Sequence, residues 1–254
     1  MEKMPEKTPL ELAFDSVVFQ CGGHLVSQLH PYCERRRRGS PPQDADYFFP
    51  SHQVLAELKR LKEDTFAPID DPRIQAMSAS WVKKGLIHPP RPNRWRWNVR
   101  ELPPLCQREA INFFEDPVRR VVNKANGQIK DSKILLGLPD STKGLFLVAS
   151  DGNTVCDPES VVTLLARTFK RPFYSSVHSL IYFNYSVFAD SPALGADVLF
   201  WIPCAIRDGG VSPSLLASLE RRWSDLLAVR FSRSFRRLQN PDSSLLADLQ
   251  FHRK

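Results

Sequence analysis

Leu145-Phe-Leu-Val-Ala149 is the stretch whose reading decides the fold: five apolar residues in a row, followed by the turn signal Asp151-Gly152-Asn153. Its aliphatic and aromatic content predicts a strand. Three further runs have the same character: Ile134 to Leu138, Val177 to Phe188, and Asp197 to Ile202, with Asp190-Ser191-Pro192 as a second turn signal. Together they predict a small, mostly antiparallel sheet in the C-terminal half. Between two of them, Pro158 suits a first helical turn, and Val161, Val162, Leu164, Leu165 and Phe169 recur at helical spacing, so a helix is expected to pack on that sheet.

Working outward, the N-terminal half reads as helical. Leu10, Leu12, Phe14, Val17 and Val18 follow a helical period until Gly22-Gly23 breaks it. Ser51 is a plausible N-cap for a second helix carrying Val54, Leu55, Leu58 and Leu61. A third runs from about Pro72 through Trp81 to Lys84, closed by Gly85, after which Pro89, Pro90 and Pro92 exclude helix. Glu109 to Ala125 reads as one or two helices pivoting at Pro117. A long amphipathic C-terminal helix starts with Ser212 as N-cap and Pro213 at the first position, and runs to about Leu238, where Asn240-Pro241 stops it. The expected fold class is therefore α+β. The expected organisation is an N-terminal helical segment (1–33), a basic, Pro-containing flexible linker (34–50), a globular α+β domain (51–240) and a tail (241–254).

Composition agrees with a globular chain. The 254 residues are 42% hydrophobic and 25% charged, with 21 Pro and 11 Gly, which excludes collagen, a pure coiled coil and a wholly disordered protein. Folding at this size requires neither metal nor disulfides. The mixed charges of Met1 to Pro9, with no apolar run behind them, argue against a secretory signal, and no apolar stretch reaches the roughly 20 residues of a membrane span. The five Cys are expected to be reduced, and the protein to reside in cytoplasm or nucleus.

The charge is where a function first suggests itself. Lys and Arg outnumber Asp and Glu by 35 to 28, a net +7, which favours an anionic partner. Between Arg73 and Arg100 stand seven basic residues and no acid: Arg73, Lys83, Lys84, Arg91, Arg94, Arg96 and Arg100. The same window holds Trp81, Trp95 and Trp97. In extended backbone, Arg94-Trp95-Arg96-Trp97 puts both guanidiniums on one face and both indoles on the other, which suits phosphate contact combined with stacking on unpaired bases. In the last helix, Arg222, Arg230, Arg233, Arg236 and Arg237 fall within an arc of about 120°, and the run Arg35, Arg36, Arg37 and Arg38 forms a basic arm.

Two smaller constellations complete the reading. Cys21, His24, His30 and Cys33 form C-x2-H-x5-H-x2-C, a donor set of the kind tetrahedral zinc accepts. Leu102-Pro103-Pro104-Leu105, followed by Ala110-Ile111, Phe113-Phe114 and Pro117, resembles the start of an F-box, which would imply docking on an adaptor of a ubiquitin ligase. No nucleophile elbow, phosphate loop, HExxH or dinucleotide fingerprint is present. The expected function is thus a non-catalytic nucleic-acid-associated protein, RNA favoured over DNA. The alternative is an interaction or assembly subunit, a homo-oligomer or part of a larger assembly, that uses the same Arg and Trp residues against an acidic protein surface. No cofactor is expected apart from the candidate zinc.

Overall fold

Both faces of Leu145–Ala149 are buried, Leu145, Leu147 and Ala149 in one apolar cluster and Phe146 and Val148 in another. A strand covered on both sides needs no alternation of apolar and polar residues, and such strands form the parallel centre of layered α/β folds. The computed structural model describes residues 7–29, 44–62, 71–88, 101–151, 158–185, 187–191, 196–232, 236–238 and 250–253. Their order is α1 (Pro9–Gln20), β1 (His24–Leu25), α2 (Val26–Leu29), β2 (Tyr47–Phe49), a 3-10 turn (Pro50–His52), β3 (Val54–Leu61), α3 (Pro72–Lys83), α4 (Pro104–Leu135), β4 (Lys143–Ser150), α5 (Pro158–Phe169), β5 (Ser179–Asn184), β6 (Val187–Ser191), β7 (Ala196–Ala205), α6 (Pro213–Phe231), β8 (Arg236–Leu238) and β9 (Gln250–Arg253).

Six strands, in the order β1-β2-β3-β4-β5-β7, make one mixed sheet. The pairs β3/β4 and β4/β5 are parallel, and β1/β2, β2/β3 and β5/β7 are antiparallel. Beyond them, β6 and β8 pair with β7, and β9 pairs with β6. One face is covered by α1 and α6 through Leu10, Phe14, Leu219, Trp223 and Leu227. The other is covered by α4 and α5 through Val118, Val122, Ile129, Val161 and Leu165. A third, smaller cluster joins α3 to the start of α4 around Trp81, whose indole N–H donates to Glu109 at 2.6 Å.

The α+β expectation of a helical N-terminal half and a small, mostly antiparallel C-terminal sheet is overturned. Half of the six-stranded sheet comes from the N-terminal half, its centre is parallel, and helices and strands interleave along the chain. The decisive misreading is residues 51–61, expected as a helix. Val54, Leu55, Leu58 and Leu61 fit a helical period, but they equally fit a strand buried on both faces, and burial chose the strand. Ser51 caps no α-helix; it sits in the 3-10 turn, after which Gln53 takes a left-handed conformation (φ 53°) and delivers the chain into β3.

Other segments shift for similar reasons. Ile134 and Leu135 end α4 and form no strand, and Pro117 lies inside this single 32-residue helix because the flanking turns are held against the sheet. The last helix stops at Phe231, where Ser232 turns left-handed (φ 50°). Arg236, Arg237 and Leu238 then pair with Val198, Leu199 and Phe200 of β7, so strand pairing satisfies their backbone and a helical continuation does not. Residues 44–50, next to the basic run in sequence, supply Ala45, Tyr47, Phe48 and Phe49 to the core.

Candidate functional site

Charged residues inside an otherwise apolar central strand are costly and demand a reason. β3 carries Glu57 and Lys59 two positions apart, hence on one face, and Glu57 is fully buried at 0% exposure. The register of β2 on β3 pairs Tyr47 with Ala56, and continuing it by one step sets Asp46 opposite Glu57. The two carboxylates are then laced into the backbone of each other's strand. The Asp46 N–H donates to Glu57 Oε2 at 3.1 Å, and the Leu58 N–H donates to Asp46 Oδ2 at 2.8 Å. Lys59 Nζ contacts Glu57 Oε1.

The lead-in to β2 is held from the α4 layer. The Ala45 N–H donates to Ser132 Oγ at 2.7 Å, and Gln128 Nε2 donates to the Asp44 carbonyl at 2.9 Å. From the opposite layer, α1 brings Glu11 and Asp15 to the same neighbourhood, joined by Lys7 from just before the helix. Lys7 and Glu11 both act electrostatically on Asp46, and Asp15 lies beside the Tyr47 hydroxyl while pairing with Lys7 at 2.6 Å. Asp15 is itself buried, and its Oδ1 has no hydrogen-bond partner.

Burial, more than charge, sets the electrostatics of the pair. Burial, with the Asp46 carboxylate adding to it, pushes Glu57 up to about 8 against the pull of Lys59. Burial likewise raises Asp46, opposed by the Leu58 N–H and by Lys59. Both carboxylates are thus shifted towards their protonated forms chiefly by burial, while Lys59 contacts Glu57 Oε1 and backbone N–H groups occupy Glu57 Oε2 and Asp46 Oδ2. Among the described residues no group of three or more His, Cys, Asp or Glu converges to hold a metal. The arrangement is thus a two-carboxylate site with a lysine beside it.

The residues singled out from sequence are dispersed. Arg91, Arg94, Trp95, Arg96, Trp97, Arg100 and Arg233, together with the arm Arg35 to Arg38, lie outside the described residues. Lys83 and Lys84 are exposed at the end of α3. Arg222 and Arg230 line a shallow groove between α1 and α6, and Arg230 also stacks over the Tyr185 ring at 4.9 Å. Arg236 and Arg237 belong to β8, so the five-arginine helical arc does not exist. Of the zinc set, Cys21 sits at the end of α1 with Sγ 3.4 Å from Ser218 Oγ, and His24 is exposed on edge strand β1; His30 and Cys33 lie outside the described residues. The segment resembling an F-box is the start of α4.

Sequence reasoning missed Asp46, Glu57 and Lys59. The available signal was Glu57-x-Lys59 within an apolar run, with an acid at 46 placed to pair across a hairpin. Read as a helix, that run sets Glu57 and Lys59 about 200° apart, on opposite flanks of the apolar stripe, so they do not read as a pair. No family model matches the chain, and neither a curated protein nor a solved structure matches it.

Proposed function

We propose that the protein hydrolyses phosphodiester bonds of nucleic acid with the help of a divalent cation held by Asp46 and Glu57. The observation that supports this reading is the fully buried Glu57 carboxylate on β3, opposed by Asp46 and contacted by Lys59. A buried carboxylate perturbed by desolvation and by a specific charge partner is a candidate for a chemical role. Nucleic acid is the substrate class favoured by the net +7 charge and the basic segments 35–38 and 73–100.

The reaction adds water across a P–O ester bond. Water oxygen bonds to phosphorus, the ester P–O bond breaks, its electron pair leaves with the departing oxygen, and that oxygen takes up a proton. When bound, a divalent cation supplies Lewis acidity toward the phosphoryl oxygen and acidifies water. The chain's own residues do the rest. Asp46 and Glu57 are fixed in orientation by the backbone N–H of Asp46 and Leu58. Lys59, tethered to Glu57, holds positive charge where the phosphoryl oxygens gain negative charge.

The test is cleavage of labelled single-stranded and duplex DNA and RNA in magnesium or manganese, with EDTA as control, alongside calorimetric manganese binding. Glu57→Gln and Asp46→Asn are expected to lose metal binding and to reduce cleavage about a hundredfold or more. Cleavage that survives in both variants, or wild-type protein that binds oligonucleotide without cutting any of them, would overturn the catalytic reading; the second result leaves a non-catalytic nucleic-acid binder.

A further inference from the structure

At one end of the central strands, four basic side chains converge from separate segments. Lys133 stands in the last turn of α4, Lys143 opens β4, His178 immediately precedes β5, and Arg207 follows β7. The geometry that gathers them is specific. The carbonyl of His178 accepts from the Arg207 N–H at 3.2 Å and from the Ile206 N–H at 3.0 Å, which fixes the β7 exit against the β5 entrance. His178 Nδ1 lies 3.0 Å from the Gly144 N–H, so the imidazole sits against the start of β4. Lys143 Nζ lies over the turn after Arg207, 3.3 Å from where a Cβ on Gly209 would stand.

All four side chains are half-buried, and among the described residues none of Lys133, Lys143 and Arg207 has a carboxylate within ion-pair distance. Arg207 Nε is buried with no hydrogen-bond partner, as is the hydroxyl of Thr142, the residue before Lys143. Burial first, and then mutual repulsion, disfavours the charged forms of two of these groups. His178 is held below its ordinary value by burial and by Lys133, Lys143 and Arg207; Lys133 is lowered by burial and by Lys143, with Asp140 as the acid opposing this.

We infer that Lys133, Lys143, His178 and Arg207 form a binding site for a phosphoryl group, separate from the Asp46–Glu57 site. Partly desolvated cations without partners gain most from a compact anion that takes several charge-assisted hydrogen bonds at once, and a guanidinium with a free Nε offers the fork that phosphate accepts. The two sources of such a group are a nucleic-acid backbone and a small phosphorylated molecule. The cluster lies roughly 10 Å along the strand direction from Glu57, because Lys143 aligns with Val54 in the β3/β4 register and each strand residue advances about 3.3 Å.

The experiment follows the His178 imidazole by NMR in full-length protein with EDTA present, so that its outcome is independent of the carboxylate site. The probes are inorganic phosphate, a short single-stranded oligonucleotide, and sodium chloride at matched ionic strength. Phosphate is expected to shift the His178 resonances and to raise its titration midpoint by about one pH unit, and Arg207→Gln to weaken the response roughly tenfold. A response to phosphate alone identifies a small phosphorylated ligand, and a response confined to the oligonucleotide identifies a backbone phosphate. No response to either, or the same response to chloride, overturns the site. Should Arg207→Gln fail to fold, Lys133→Gln and the wild-type comparison of phosphate with chloride decide the matter.

Discussion

Asp46 and Glu57 face each other across the β2–β3 ladder, with the Asp46 N–H bonded to the Glu57 carboxylate at 3.1 Å. Each acid is therefore oriented by backbone that the other's strand holds in place. Lys59→Met keeps the stem and removes the charge. Cleavage is expected to fall about a hundredfold or more, which activity assays on the folded variant would show. A variant that cuts at the wild-type rate would take Lys59 out of the site.

Glu57 also sets a pH dependence in the metal-free protein. Its folded value, about 8, stands above the ordinary carboxylate range, so its favourable contribution to stability is complete at low pH and is lost as pH rises from about 4.5 towards 8. Urea denaturation in EDTA should show that loss in the wild type, and Glu57→Gln should remove it. A pH profile identical in both proteins would contradict the burial argument.

His178 gives the opposite slope. Its folded value is depressed, so the unfolded chain takes up the proton first, and stability is expected to fall as pH drops below about 6.5. The excess phosphate that would fill the basic cluster should reduce this acid sensitivity, measured by thermal unfolding at pH 5 and pH 7.

Gly144, the second residue of β4, stands where no side chain fits. A Cβ there would lie 1.9 Å from the backbone carbonyl oxygen of Ser176 and 3.0 Å from Ile129. Gly144→Ala must push β4 away from the segment leading into β5, and loss of folded protein is expected by circular dichroism. At Gly23 the obstacles are side chains, Val18 and the Phe49 ring, so Gly23→Ala is expected to cost about 1 to 3 kcal/mol.

Trp223 anchors the α6 layer. It is fully buried, its ring centroid lies 5.5 Å from Phe14 and 5.1 Å from Phe183, and its indole N–H donates to the Asn184 carbonyl at 3.3 Å. Trp223→Ala is expected to cost about 3 to 5 kcal/mol in urea titrations.

Local signals were legible wherever one residue type enforces one conformation. Pro158 opens α5, Pro72 opens α3, Ser212 and Pro213 start α6, Gly22 ends α1 with φ 72°, and Gly85 follows α3 with φ 68°, all as their side chains or lack of one require. Tertiary structure alone decided Val54–Leu61 and Arg236–Leu238. Apolar spacing does not separate a buried strand from a helix, and backbone N–H groups settle on whichever partner the rest of the fold presents: β4 for one segment, the edge of β7 for the other. The candidate site followed the same rule. Glu57 and Lys59 have meaning only on a strand, and Asp46 meets them only once the hairpin register is made. The sequence by itself determined the helix ends, the excess of positive charge and the apolar segments. Which of those segments became the sheet, and which acids it buried together, depended on long-range pairing.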